Sequence, residues 1–122
     1  MGVSGFRELE RNLERTERAI SGGALVSATK KGAEVIVDAA KSRAPRRTGK
    51  LAESIGHEVT EASGSAVQEK IGPDVFYGGL VELGAAQTTA KPYLRPALDE
   101  RGNAAVNATG KDLWARIRRV LR

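Results

Sequence analysis

The chain has 122 residues and no cysteine, which bounds it to one domain with a modest core and excludes disulfide and thiolate chemistry. No apolar run approaches the ~20 residues of a membrane-spanning helix, and no apolar signal core opens the sequence, so a soluble protein with no membrane partner is expected. The formal charge of +5 is unevenly placed: residues 1–50 hold eleven basic and six acidic side chains, and the remainder balances at nine of each.

Phe6, Leu9, Leu13 and Ile20 fall on one stripe at helical spacing. The opposite face is charged, with Arg7, Glu8, Arg11, Glu14, Arg15 and Arg18, and opposite signs three or four apart support an exposed helix slightly. Ser21-Gly22-Gly23 then interrupts, since two glycines cost roughly 2 kcal/mol in a helix interior relative to alanine. A break or hinge is expected there, with one continuous helix as the alternative. A second stripe follows in Leu25, Ala28, Gly32, Val35, Ile36, Ala39 and Ala40, and its small residues let another backbone come close. The helical region, 1–44, must stop before Pro45, because proline pushes its predecessor out of the helical region.

Thr48-Gly49 marks a turn and opens a β-rich segment with loops, 48–91. Ile55, His57 and Val59 alternate with Gly56, Glu58 and Thr60, the pattern of a strand with one apolar face. Val67, Glu69 and Ile71 alternate with Gln68 and Lys70, so the two runs form an antiparallel hairpin through the flexible Ala62-Ser63-Gly64-Ser65. Residues 76–84 admit either one helical turn or a short strand, and 85–91 read as a small polar loop. Pro92 and Pro96 bracket the entry to a C-terminal helix, 92–122, where Pro96 suits the first turn because its missing N–H costs nothing there. Leu98, Ala105, Leu113, Ile117 and Leu121 make the apolar stripe of that helix, and Gly102 and Gly110 weaken it toward a kink. The fold class is α+β in a single domain, 1–122: a long N-terminal helix broken near Gly22-Gly23, a small antiparallel sheet and a C-terminal helix.

Five aromatic residues, Phe6, Phe76, Tyr77, Tyr93 and Trp114, leave the core to Val, Leu, Ile and Ala, each contributing ~1.5–3 kcal/mol when fully buried. Such a thin core points to a partner or an oligomer that supplies further stability.

No catalytic grammar runs through the chain, and no cofactor is expected. Gly49-Lys50 and Gly110-Lys111 resemble a phosphate-binding loop only superficially. Ala44 and Ala105 stand where the first glycine belongs, Leu51 and Asp112 stand where Ser or Thr must hold magnesium, and neither pair follows a strand. His57 is the single histidine, too few for a metal site or a nucleophilic triad, and reads as a structural strand residue. Glu82 is set among Leu80, Val81 and Leu83, where a carboxylate needs a donor or loses several kcal/mol. It reads as a salt-bridge partner within or between chains, with Arg95 and Arg47 the candidates, or else as a solvent-facing side chain at an element edge. Arg43, Arg46, Arg47 and Lys50 form one basic cluster, and Arg116, Arg118, Arg119 and Arg122 a second. Basic clusters can meet phosphate, whereas the second also complements a helix macrodipole.

One ordered set of short signals runs through the middle of the chain: Pro45, Thr48, Gly49, Leu51, Ser54 and Ile55, then Gly72, then Tyr77, Val81, Glu82 and Gly84, then Pro92, Tyr93, Leu94, Pro96 and Ala97. This order and spacing resembles the tail-component family of lambda-like siphophages, the Hong Kong 97 gene-product-ten type. Ala85 stands where similar proteins often show Thr. The resemblance implies a small α+β subunit of a tail-terminator or tail-completion ring, hexameric, that stops the tail tube and joins it to the neck. It implies the tail tube protein and the head connector or stopper as partners, DNA in the channel as a non-specific contact, assembly in the host cytoplasm and residence in the virion. The interface candidates are Arg46, Arg47, Thr48, Gly49, Tyr77, Glu82, Gly84, Tyr93 and Arg95. The alternative is a basic nucleic-acid-binding module using Arg43, Arg46, Arg47 and Lys50. That reading lacks aromatic stacking residues and a known DNA-binding motif.

Overall fold

The glycine pair divides the N-terminal helical region in two. α1 spans Gly2–Ala19 and α2 spans Gly23–Arg43, and between them Gly22 takes φ 57° and ψ −128°, a conformation closed to residues with a Cβ. The computed structural model describes residues 2–46, 49–75, 77–84 and 89–121. α3 (Lys50–Ser54) precedes β1 (Gly56–Ala62) and β2 (Val67–Gly72); α4 (Gly78–Leu83) and α5 (Leu94–Leu121) follow. The α+β class and the two long terminal helical regions agree with the sequence expectation.

α2 and α5 pack against each other along most of their lengths, and the hairpin lies across α2. The close approach of the two helices rests on Gly32. A Cβ there would fall 2.8 Å from the carbonyl oxygen of Ala105 and collide with the Thr109 hydroxyl. Glycine to alanine inside a helix normally gains about 1 kcal/mol. Here the backbone contact reverses the sign, and Gly32→Ala is expected to destabilise by about 1–3 kcal/mol. Urea unfolding measures this, and a variant as stable as the parent would show that α2 and α5 slide apart freely.

β1 and β2 pair antiparallel, with Gly56 opposite Gly72, His57 opposite Ile71 and Val59 opposite Glu69; the register shifts between Val59 and Glu61. The tip is closed by Ser63, whose N–H donates to the carbonyl of Ala66 at 2.8 Å. An isolated two-stranded ribbon is marginal in water, so this one depends on its seat on α2.

The core sits at one end of the α2–α5 pair. Val37, Ala40 and Ala44 from α2 and its C-terminal cap meet Leu51, Ala52 and Ile55 from and just after α3, with Tyr93 and Ala97 at the start of α5. Ile71, Val75, Tyr77, Val81 and Leu94 pack around this cluster. Of the stretch open to two readings in the sequence, Gly78–Leu83 forms a short helix rather than a strand. α5 runs unbroken through Gly102 and Gly110.

Two apolar stripes are left partly uncovered. On α1, Phe6, Leu9 and Leu13 are 68%, 52% and 60% exposed. Every residue from 5 to 11 is exposed, because α1 meets the body only near its C-terminal end, where Arg15 donates to the carbonyl of Val120. On α5, Ala105, Leu113 and Ile117 are half-buried, but Leu98 and Leu121 face solvent. The helix comes close to α2 where Ala105 and Thr109 meet Gly32, and Leu98, Val106, Trp114 and Leu121 are left outside.

Candidate functional site

An α-helix begins with backbone N–H groups that have no partner inside the helix. α5 solves this through a carboxylate thirteen residues away at most. Glu82 Oε2 accepts from the N–H of Tyr93 at 2.6 Å and of Leu94 at 2.9 Å, and Oε1 accepts from the N–H of Arg95 at 3.0 Å. The next residue is Pro96, which has no N–H to satisfy. Glu82 is thus a long-range cap that closes the entire set of free donors at that helix end. Its negative charge also meets the positive end of the helix dipole.

Burial alone would raise the Glu82 pKa. The bonds from Leu94, Tyr93 and Arg95, together with the Arg95 charge, outweigh it and hold the carboxyl below its ordinary value. The partner is therefore a helix terminus, and Arg95 assists by its charge instead of by the salt bridge the apolar setting suggested. Arg47, the other candidate, lies outside the described residues.

Two further bonds complete the joint between α4 and α5. The Tyr93 hydroxyl donates to the carbonyl of Gly78 at 2.9 Å, and the Lys91 N–H donates to the carbonyl of Val81 at 2.8 Å. Tyr93 is fully buried, and burial followed by the nearby Glu82 charge raises its pKa. Gly78 must be glycine here, since a Cβ would clash with the Pro73 ring and sit 3.1 Å from the Tyr93 hydroxyl.

The other nominated residues distribute around this joint. Gly49 takes φ 79° as the cap of α3, and Gly84 takes φ 80° just after α4. Tyr77 packs on the core cluster. The Arg46 side chain is exposed and donates to the carbonyl of Lys41 at 3.2 Å, which places it at the C-terminal end of α2. Thr48, like Arg47, is outside the described residues, as are Phe76, Ala85 and Arg122 among the positions considered in the sequence. The structure thus gathers Tyr77, Glu82, Tyr93 and Arg95 at one joint and leaves Arg46 apart.

The basic clusters are largely engaged within the chain. Arg43 pairs with Glu100 of α5, Arg116 bonds Asp112 at 2.8 Å, and the Arg118 guanidinium lies 5.7 Å from the centre of the Trp114 ring. Asp112 also pairs with Lys31 of α2; these two bonds, Lys31 first, hold its carboxyl below the ordinary value. Arg118 and Arg119 lie in the last turn of α5, where they complement its dipole.

Sequence reasoning missed the Asp112 bridge and the pairing of His57 with Glu69. His57 Nδ1 and Glu69 Oε1 are 2.9 Å apart, on the face of the ribbon toward α2, and Glu69 Oε2 is buried with no hydrogen-bond partner among the described residues. Alternation did place both side chains on one face of the hairpin, and that was the available signal. Among the described residues no three or more His, Asp or Glu gather as a metal site.

The motif residues therefore build a joint and a core: Leu51, Ile55, Tyr77, Val81, Tyr93, Leu94 and Ala97 are the packing, and Glu82 ties two helices together. The class this defines is a small α+β structural subunit whose signature is architectural. The family model described as "Bacteriophage HK97-gp10, putative tail-component" matches residues 7–84, and the chain belongs to that family of phage tail components. The match ends at Gly84, so the Pro92–Ala97 half of the joint lies beyond it. No curated relative and no solved structure matches the chain significantly. No helix among the described residues is long and apolar enough to cross a membrane.

Proposed function

We propose that the chain is a single tail-completion domain that forms a ring, six copies by family resemblance, at the head–tail interface. The ring terminates the tail tube and presents a docking face to the connector or stopper. The observation that carries this reading is family membership combined with a signature spent on internal architecture. The surface is then free to differ between partners, and it does carry large exposed apolar side chains on α1 and α5. Among the described residues the sheet has two strands, so both long edges of the ribbon carry backbone groups outside its ladder. Activity of this kind is geometric and needs no reacting group.

The basic-module alternative draws no support from the site, because Arg43 is paired with Glu100 and Arg46 closes the end of α2. Contact with DNA, if made in the channel, would be non-specific and steeply salt-dependent.

The test is to delete the gene in the parent phage and count particles by electron microscopy. The expected result is unjoined heads beside tails of uncontrolled length, restored by the full chain in trans, with an antibody to the chain labelling the head–tail junction. Normal joined virions without the protein, or label confined to another part of the tail, overturn the proposal.

A further inference from the structure

Two apolar stripes on this chain are uncovered, and their edges carry opposite charge. On α1 the stripe is Phe6, Leu9 and Leu13, exposed as given above, on the half of the helix that stands off the body. At about 100° per residue, Glu10, Glu14 and Glu17 follow one another along a single edge of that stripe. The arginines of α1 lie on the far side. On α5 the uncovered residues that share one side are Val106, Trp114 and Leu121, at 71%, 55% and 47% exposure, while Leu98 lies on another. Lys111 and Arg118 stand three before and four after Trp114, which puts both on one edge of the second stripe. Phe6 and Leu13 are seven apart, as are Trp114 and Leu121, so the two stripes share the spacing on which helices interlock side by side.

We propose that in the assembled state α1 of one copy lies on the outer stripe of α5 of the next copy, with Glu10, Glu14 and Glu17 facing Lys111 and Arg118. The occupant is a second copy because the chain itself carries both complementary halves. α1 cannot cover this stripe in its own copy as it stands, since its exposed half extends away from the body. Contact between two different patches is head-to-tail, the arrangement that builds a ring where the rotation from copy to copy closes. Phe6 and Trp114 are the largest of the six apolar side chains, and only with the five flanking charged side chains does the contact approach the ~1,000 Å² of a specific interface. Gly22 at the base of α1 is the point at which the angle between the helix and the body is set. The inference rests on the ring reading and names the contact that would build it.

Sedimentation velocity on the full chain tests it through exposed charges whose reversal leaves the core untouched. One variant carries Glu10→Lys, Glu14→Lys and Glu17→Lys; the other carries Lys111→Glu and Arg118→Glu. The wild-type chain is expected to self-associate, and each variant alone to do so at least about tenfold more weakly. Mixing the two variants is expected to recover association, because only the reversed α1 and the reversed α5 then match. A wild-type chain that stays monomeric up to about 1 mM, a binding free energy near −4 kcal/mol, overturns the proposal. So does a mixture that associates no better than its components. The ring reading fails separately: rings at the head–tail junction built from both variants as readily as from the wild type would remove this contact and keep that reading, whereas virions lacking the protein would remove the reading itself.

Discussion

Replacing Glu82 with alanine is expected to destabilise the folded chain by about 2–4 kcal/mol, a loss that combines a helix cap with hydrogen bonds to a charged acceptor. Three N–H donors at the start of α5 lose their acceptor together, and water is their only substitute. Glu82→Gln keeps the shape and one carbonyl oxygen but removes the charge, so its effect should fall between alanine and wild type. Acid titration separates cap from charge. The Glu82 pKa is lowered by folding, as is that of Asp112, so the stability each contributes is fully present above the unfolded carboxylate value of about 4. It is lost as pH falls through the lower folded values. Wild-type stability should therefore drop below pH ~4, and Glu82→Gln should drop less steeply over that range. Urea midpoints measured across this range check both statements. A Glu82→Ala midpoint equal to the parent at neutral pH would mean that α5 begins equally well without its cap.

Tyr93→Ala should be the more damaging change, at about 3–5 kcal/mol, because it empties the largest fully buried side chain in a core made otherwise of aliphatic residues. Native domains hold only about 5–15 kcal/mol in total, so this single change could leave the chain close to unfolded. Tyr93→Phe isolates the hydroxyl. It leaves the Gly78 carbonyl without its 2.9 Å partner in a buried setting, and about 1 kcal/mol is expected from that loss. The raised Tyr93 pKa adds a sign: its contribution is complete below the unfolded value of about 10 and is lost as pH rises through the higher folded value, a loss absent from Tyr93→Phe. Thermal melts of the three proteins provide the comparison, and a Tyr93→Ala melt within a degree or two of the parent would refute the packing argument. Glu82 and Tyr93 serve one joint, so their effects should fall short of additive in the double variant.

The joint also explains a signal whose meaning was not legible along the chain. Glu82 and Pro92-Tyr93-Leu94-Arg95-Pro96 stand out in the sequence, but a capping carboxylate is normally sought at the residue next to the helix it caps. Here the cap comes from the preceding helix, across a loop, and nothing local in either segment announces that pairing. An apolar setting around an acid correctly demanded a donor. Whether that donor was an arginine or three backbone amides depended on where α4 ends relative to α5, which is a tertiary fact.

By itself the sequence determined the elements with local causes. Glycines at 22 and 23 break the first helix, Pro45 ends the second, alternation around His57 and Glu69 makes a hairpin, and Pro96 suits a first turn. It also determined the family, because the motif order survives as packing residues whose spacing the core dictates. Only the tertiary structure decided which amphipathic faces were covered. Periodicity marks a stripe as apolar but cannot say what lies against it, so α1 and α5 read alike as helices with one apolar side. α2 fills that role through Ala28, Gly32, Ile36 and Ala40, and the missing side chain at Gly32 lets α5 come close at Ala105 and Thr109. Once that seat is taken, Phe6, Leu9 and Leu13 on α1 and Trp114 on α5 have no body left to bury them and remain on the surface.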